Sequence, residues 1–412
     1  MTVALHLRFA TPKTATLSPS FSIAHDPAEG RARISGAAIL GDNPMTRALL
    51  ALLLILGHFP DAAAAKRRAV GHPAAPVAPE AVVTAATQAA EAAMAAGVPA
   101  VQVAVSHHGQ IVYSGAFGMS DRESATATTS RSVMQIGSIT KQFTAAAILR
   151  LAERGALSVD DRIEKFVPEF DPRGRTITLR HLLSHRSGVP RDWYKPAGQT
   201  LSPFFSLVTR EQVVTGINAQ PFDFTPGSKY SYSNAGYMLL GYAIESITGR
   251  PFADFVRSEL VLPLGLIDTG VCGTSNLPRP EGYGLYPQNV VRMPAVHPSG
   301  LISSGSLCST ASDLARWAQL LATGHVMLPA SYATMTTRAA PTTTYGLGVD
   351  LKTVLGHPAV SHDGAIDGFM SFLVYFPEQD IAVAVNTNAF PVPTYHHAII
   401  ALAVAKAALD AL

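Results

Sequence analysis

Cysteine is almost missing: Cys272 and Cys308 are the only two in 412 residues, and neither is placed to act as a nucleophile. An excess of one charge is missing as well. Thirty-one Lys and Arg stand against 29 Asp and Glu, for a net charge of +2 and a pI near 8.5. No Lys/Arg stripe is interleaved with aromatics, which argues against a nucleic-acid partner. The most apolar run, Ala48–Leu56, is too short to cross a bilayer as a helix. There are no internal repeats and no heptads. H-E-x-x-H spacing, a G-x-S-x-G elbow, a Walker motif and G-x-G-x-x-G are all absent, so no metal or cofactor is expected and an α/β-hydrolase is disfavoured.

What is present divides the chain. Residues 1–44 are polar and rich in small residues, without lasting periodicity. Then "MTRALLALLLILGHFPDAAAAKRR" supplies a short basic start, an apolar stretch and a small-residue cleavage region. That is the pattern of a secretory signal over residues 45–65, and it suggests a true start at Met45. The competing reading is a single N-terminal anchor. A Pro/Ala-rich linker over 66–80 leads into one domain, residues 81–412. Export, to a periplasm or outside the cell, is compatible with a bond between Cys272 and Cys308, and the alternative is two buried thiols.

Within 81–412 the periodicity predicts a helix over Val82–Ala96, a hairpin in "VQVAVSHHGQIVYSGAFG", and helices over Ile139–Arg154, Ala235–Thr248, Phe252–Leu260 and Thr310–Ala322. Thr310 with Asp313 resembles a capping box. Strands return in "YGLGVDL", "GFMSFLVYFP" and "DIAVAVNTN", and "YHHAIIALAVAKAALDAL" closes the chain as a helix. Strands at both ends with helices between them imply one sheet built from both termini: a mixed α+β fold, mainly antiparallel, with a helical region beside it.

Three short stretches carry chemistry. In "MQIGSITKQFTAAAILRLAERG", Ser138 and Lys141 stand three apart at the start of a helix and so share a face. A serine needs a base to become a nucleophile. Lysine serves if its pKa falls from about 10.4 to near 7, at a cost of roughly 4 kcal/mol. Alone, S-x-x-K is a loose pattern, met far more often as a capped helix with an exposed lysine. In "YSYSNAGY", Tyr232 offers a phenol that an adjacent ammonium would help to ionise, and Asn234 an amide that can hold substrate or the lysine. In "SHDGAIDGF", His362 and Gly364 lie just before an apolar strand, and the N–H of Ala365 could join that of Ser138 around an oxyanion.

S-x-x-K, then Y-x-N, then H-x-G, in this order and spacing, resembles the serine β-lactamase and penicillin-binding family, more narrowly the class C β-lactamases, DD-carboxypeptidases and related esterases. The framing stretches "LRLAERGALSVDDRIEKFVPEF", "ITLRHLLSHRSGVP", "PLGLIDTG" and "STASDLARWAQLLATG" agree, and the likeness runs from Val82 to Leu412. It implies a β-lactamase/transpeptidase-like fold, with an antiparallel sheet flanked by N- and C-terminal helices and a helical subdomain. It also implies a Ser138 acyl-enzyme, proton transfer shared by Lys141 and Tyr232, substrate contacts from Asn234, His362, Asp363 and Gly364, and an oxyanion hole at Ser138 and Ala365.

Two positions depart from that pattern. The third motif has His362 where class C β-lactamases have lysine, and Asp363 where Thr, Ser or Gly is usual. A neutral imidazole attracts a carboxylate weakly, and a carboxylate facing the cleft would repel one. The expected activity is therefore hydrolysis of an ester or amide, as by an esterase or D-amino-acid peptidase, acting on a small molecule or a peptidoglycan-derived substrate. A true β-lactamase, and a penicillin-binding protein that acylates with little turnover, are the alternatives. His185 in "LLSHRSG" reads as a structural residue near the cleft. The oligomeric state is not legible.

Overall fold

A computed structural model describes residues 22–26, 31–35, 78–194, 205–274, 279–287, 289–394 and 396–412. The chain divides into two units, Met1–Ala74 and Ala75–Leu412. In the first, the described residues form an antiparallel pair, β1 (Ser22–Asp26) with β2 (Arg31–Ser35), which the lack of periodicity did not foretell. The expected signal over 45–65 lies outside the described residues, as does the linker up to residue 77.

The second unit begins with helix α1 (Glu80–Ala95), then strands β3 (Ala100–His107) and β4 (Gln110–Asp121) and the short β5 (Thr126–Ala127) and β6 (Met134–Gln135). Helices α2 (Thr140–Glu153), α3 (Leu179–Leu183), α4 (Arg210–Asn218), α5 (Asn234–Thr248) and α6 (Phe252–Val256) make up the middle. Next come β7 (Gly270–Val271), β8 (Tyr283–Tyr286), β9 (Asn289–Arg292), α7 (Ile302–Gly305), β10 (Leu307–Ser309), α8 (Ala311–Ala322) and α9 (Pro329–Met335). Strands β11 (Asp350–Val354), β12 (His357–Ile366), β13 (Phe369–Phe376) and β14 (Ile381–Thr387) precede the closing helix α10 (His396–Ala411).

Strands from both ends of this unit form one antiparallel sheet, in the order β11-β12-β13-β14-β3-β4-β5. Alternation along β3 sends Val101, Val103 and Val105 to one face, beneath α1 and α10, and Ala104 to the other, beneath α8 and the helical region. The active elements sit on that second face, where the turn Gly137–Ile139 ahead of α2 packs against β12 and β13 and α2 packs against α5. The disulfide Cys272–Cys308 ties the chain just after β7 to β10.

Three local expectations change. "YGLGVDL" is not one strand: Gly348, at φ 79°, packs against the backbone of α2, and pairing in β11 begins only at Asp350. His362 and Gly364 lie inside a strand, not ahead of one. β12 reads weakly because glycine and polar side chains, not apolar ones, occupy much of its inner face. The capping box at Thr310 is half made. Thr310 caps the Asp313 amide, but the Asp313 carboxylate turns instead to the amide of Asp268 and the hydroxyl of Thr269.

Candidate active site

Gly137 places the nucleophile candidate. Its backbone sits at φ 48°, in the left-handed region open to glycine, and a Cβ there would come within 2.9 Å of the Ala365 amide. The tight turn Gly137–Ile139 carries Ser138 straight into α2. Gly364 is needed for the same reason, because a Cβ on it would overlap the Ile136 carbonyl and the Ser371 hydroxyl. Residues 362–366 of β12, beyond its pairing with β11, therefore lie against Ile136 and Gly137, next to Ser138. Ile366 closes the hairpin with Phe369, so by strand alternation the Ala365 amide turns away from β13 and toward Gly137.

Lys141 is fully buried and its ammonium nitrogen has three partners. It lies 3.1 Å from Ser138 Oγ, 2.9 Å from Asn234 Oδ1 and 2.7 Å from the Ser304 carbonyl oxygen. Two of the three can only accept. A neutral amine would spend both N–H groups on Asn234 and Ser304 and aim its lone pair at Ser138 Oγ. Burial pushes the Lys141 pKa well below its ordinary value; Asp192 opposes this and Arg191 adds to it. Among the described residues no carboxylate touches the nitrogen directly.

Tyr232 packs its ring 4.7 Å from Lys141 Nζ. The expectation that its phenol ionises easily is not met: burial drives its pKa up, and the hydrogen bond with Ser138 offsets only part of this. Ser233 fixes the start of α5, accepting from the Gly236 amide and donating to the Pro190 carbonyl. Asn234 uses both ends of its amide, since Nδ2 donates to Asp192 Oδ1 at 2.8 Å while Oδ1 accepts from Lys141.

The third motif is split by the strand. His362, registered opposite Leu373, turns inward and is buried. Its Nδ1 donates to the Asp363 carbonyl at 2.6 Å, and its Nε2 therefore accepts from the Tyr345 hydroxyl at 2.8 Å. Burial lowers its pKa, so the imidazole is neutral at physiological pH. Asp363, registered opposite Phe372, faces the other way and is exposed. Among the described residues its carboxylate makes no hydrogen bond or ion pair.

His185 lies beside Tyr232 and the start of α5. Buried at φ 57°, it accepts the Ser233 amide on Nδ1 at 3.0 Å, and its ring lies 4.2 Å from that of Tyr232. Tyr237 and Tyr345 flank it. The sequence reading missed Asp192, Ser304, Tyr345 and Arg191, whose guanidinium stands 5.4 Å over the Tyr232 ring. Asp192, Arg191 and Tyr345 offered only the signal of a charged or aromatic residue in a loop, and Ser304, which acts through its backbone oxygen, offered none. Among the described residues no three His, Cys, Asp or Glu side chains group as a metal site requires, and no helix is long and apolar enough to cross a membrane.

Known proteins resemble this chain. A family profile described as Beta-lactamase matches residues 86–407. A penicillin-binding protein of Bacillus subtilis (strain 168) is 26% identical over 321 residues, 72% of this chain and 70% of its own length. Protein flp of Staphylococcus aureus (strain N315) is 26% identical over 332 residues, and the matched region spans 61% of its length. Two solved structures are similar. One is an octameric penicillin-binding protein homologue from Pyrococcus abyssi, with TM-score 0.71, 28% identity, and 80% of this chain and 77% of that one covered. The other is a D-stereospecific amidohydrolase from Streptomyces sp., with TM-score 0.65, 29% identity, and 74% and 94% covered.

Proposed function

The chain belongs to the beta-lactamase family, and on that basis we propose that it is an exported serine hydrolase, periplasmic or secreted, that cleaves an ester or amide through an acyl-enzyme on Ser138. The observation that carries this is the Lys141 nitrogen, buried and within 3.1 Å of Ser138 Oγ with its other bonds going to acceptors. Lys141 as the amine takes the Oγ proton while Oγ bonds to the substrate carbonyl carbon. The oxyanion that forms meets the amides of Ser138 and Ala365, each such donor being worth roughly 3–4 kcal/mol in the transition state. Tyr232, a protonated phenol at rest, hands a proton to the departing amine or alkoxide and recovers one from Lys141. Water then attacks the ester at Ser138 by the same steps in reverse, releasing the acid.

The charges around the cleft set the substrate class. His362 is neutral and turned inward, and Arg191 shares its field with Asp192 at 3.7 Å. Asp363, exposed on the other side of β12 from His362 and two residues before Ala365, adds a negative charge at the rim that no described residue pairs with. A neutral substrate, or one with a cationic end such as the free ammonium of a D-amino-acid amide, suits this cleft better than a β-lactam carboxylate. The likeness to a D-stereospecific amidohydrolase supports the amide reading.

The test is mass spectrometry of the chain from Lys66 mixed separately with a D-amino-acid nitroanilide, a p-nitrophenyl ester and a chromogenic cephalosporin. Turnover of the first two with little cephalosporin hydrolysis is expected, and Ser138→Ala should abolish both turnover and the acyl adduct. Fast cephalosporin hydrolysis would make the protein a β-lactamase. A trapped adduct without turnover would make it a penicillin-binding protein.

A further inference from the structure

A cavity of about 360 Å³ opens between the 180–186 segment, Gly227 and the stretch after α9, lined among others by Arg180, His181, Arg186, Gly227, Arg338 and Ala339. None of the residues lining it is Asp or Glu. Arg180 is compensated, because Asp160 outside the cavity holds it with two bonds, at 2.7 and 2.9 Å. The other two guanidiniums are not. Arg186 is half-buried and donates to two backbone carbonyls, that of Ala339 at 2.6 Å and that of Gly227. Arg338 reaches only the Leu351 carbonyl, at 3.5 Å. Among the described residues no carboxylate pairs with either. Two like charges lining one cavity, one of them half-buried, form a costly arrangement that a bound anion would relieve.

His181 stands beside the two arginines. His181 Nδ1 accepts the Thr178 amide in the N-terminal cap of α3, so in the neutral ring the proton sits on Nε2. That nitrogen faces the bare Cα of Gly227, where a Cβ would stand 3.5 Å away. The hydroxyls of Ser184 and Thr334 are spent on the carbonyls of Arg180 and Ala330, and that of Thr337 on Ala333. What remains to meet a ligand is the N–H groups that Arg186 and Arg338 do not give to backbone carbonyls, with the His181 ring beside them.

We propose that this cavity binds a phosphate group, as the free ion or as the phosphate of a small ester, with Arg186 and Arg338 as its donors and His181 beside them. Phosphate fits better than a single carboxylate for two reasons. Its three acceptor oxygens and charge of about −2 match donors on more than one side and two uncompensated guanidiniums. The space also exceeds what the group itself needs, which leaves room for an attached organic part. Binding would bear on catalysis. Arg186 straps together the segments that run from Gly227 to Tyr232 and from Ala339 to Tyr345, both of which pack against His185.

The experiment is thermal unfolding of the full chain in rising inorganic phosphate, with ionic strength held constant by sodium chloride. Glycerol phosphate serves as the ester probe, acetate as the carboxylate control. A saturable rise is expected, on the order of 2–3 °C at twenty times the Kd. It should be lost in Arg338→Ala and Arg338→Glu, variants of an exposed residue whose ester hydrolysis without phosphate should match the parent. Saturation by glycerol phosphate at lower concentration than by phosphate would support an ester ligand; the reverse order would support the free ion. The proposal is overturned by no saturable rise, by the same rise in both variants, or by an equal rise in acetate.

Discussion

Tyr345 donates its phenolic proton to Nε2 of His362 at 2.8 Å, and this bond holds the third-motif side chain on the inner face of β12, where its ring lies 6.4 Å from that of Tyr232. The imidazole is thus part of the core, between a tyrosine and its own strand's backbone. The residue that stands out toward solvent at this motif is its neighbour, Asp363.

Removing the Tyr345 hydroxyl leaves a buried acceptor without a partner. Tyr345→Phe should lower stability by about 1–3 kcal/mol, read as a lower urea midpoint at an unchanged slope. An unchanged midpoint would mean that water or another donor replaces the phenol.

Asp363 should act on substrate charge. Asp363→Ser is expected to raise kcat/KM for a cephalosporin roughly tenfold, about 1.4 kcal/mol, and to lower it for a cationic D-amino-acid amide. Parallel changes for the two substrates would remove Asp363 from specificity.

Asp192 bonds to the amide of Asn234 that holds Lys141. Its negative charge favours the ammonium and raises the lysine pKa, against the dominant effect of burial. If Lys141 must be neutral to react, kcat/KM rises with pH through its depressed pKa. Asp192→Asn keeps the acceptor for Asn234 and loses the charge, so that acid limb should move to lower pH. A limb that stays in place would mean that Lys141 is not the group titrating.

Gly364 lets β12 lie against Ile136. Gly364→Ala should push the Ala365 amide away from Ser138 and cut kcat by about 10²–10³, the usual cost of one oxyanion donor. A kcat within threefold of the parent would place the oxyanion elsewhere.

Asp313 is buried, and desolvation raises its pKa to about 6 against the hydrogen bonds from Thr269 and Asp268. The unfolded chain holds that proton less tightly, near 3.8, so the contribution to stability is complete below 3.8 and is lost as pH rises through about 6. Asp313→Asn should therefore stabilise the protein above pH 7, by at most about 3 kcal/mol, with little change at pH 4. Thermal melts at the two pH values check this.

The sequence determined the periodic and the ordered features by itself. The valines of β3, the helices α2, α5 and α8, and a sheet drawn from both ends were legible because 2- and 3.6-residue periods record which face is buried. Ser138, Lys141, Tyr232, Asn234 and the H-x-G stretch were legible because their order and spacing form a pattern. Tertiary structure alone decided the electrostatics. Whether Lys141 is buried, whether Tyr232 resists ionisation and which way Asp363 points depend on groups outside the local pattern, such as Asp192 and Ser304 around Lys141 and Tyr345, 17 residues from His362. They depend also on strand register, in which one residue's slip exchanges the two faces. Field and desolvation are set by distance in space, and no local pattern encodes it.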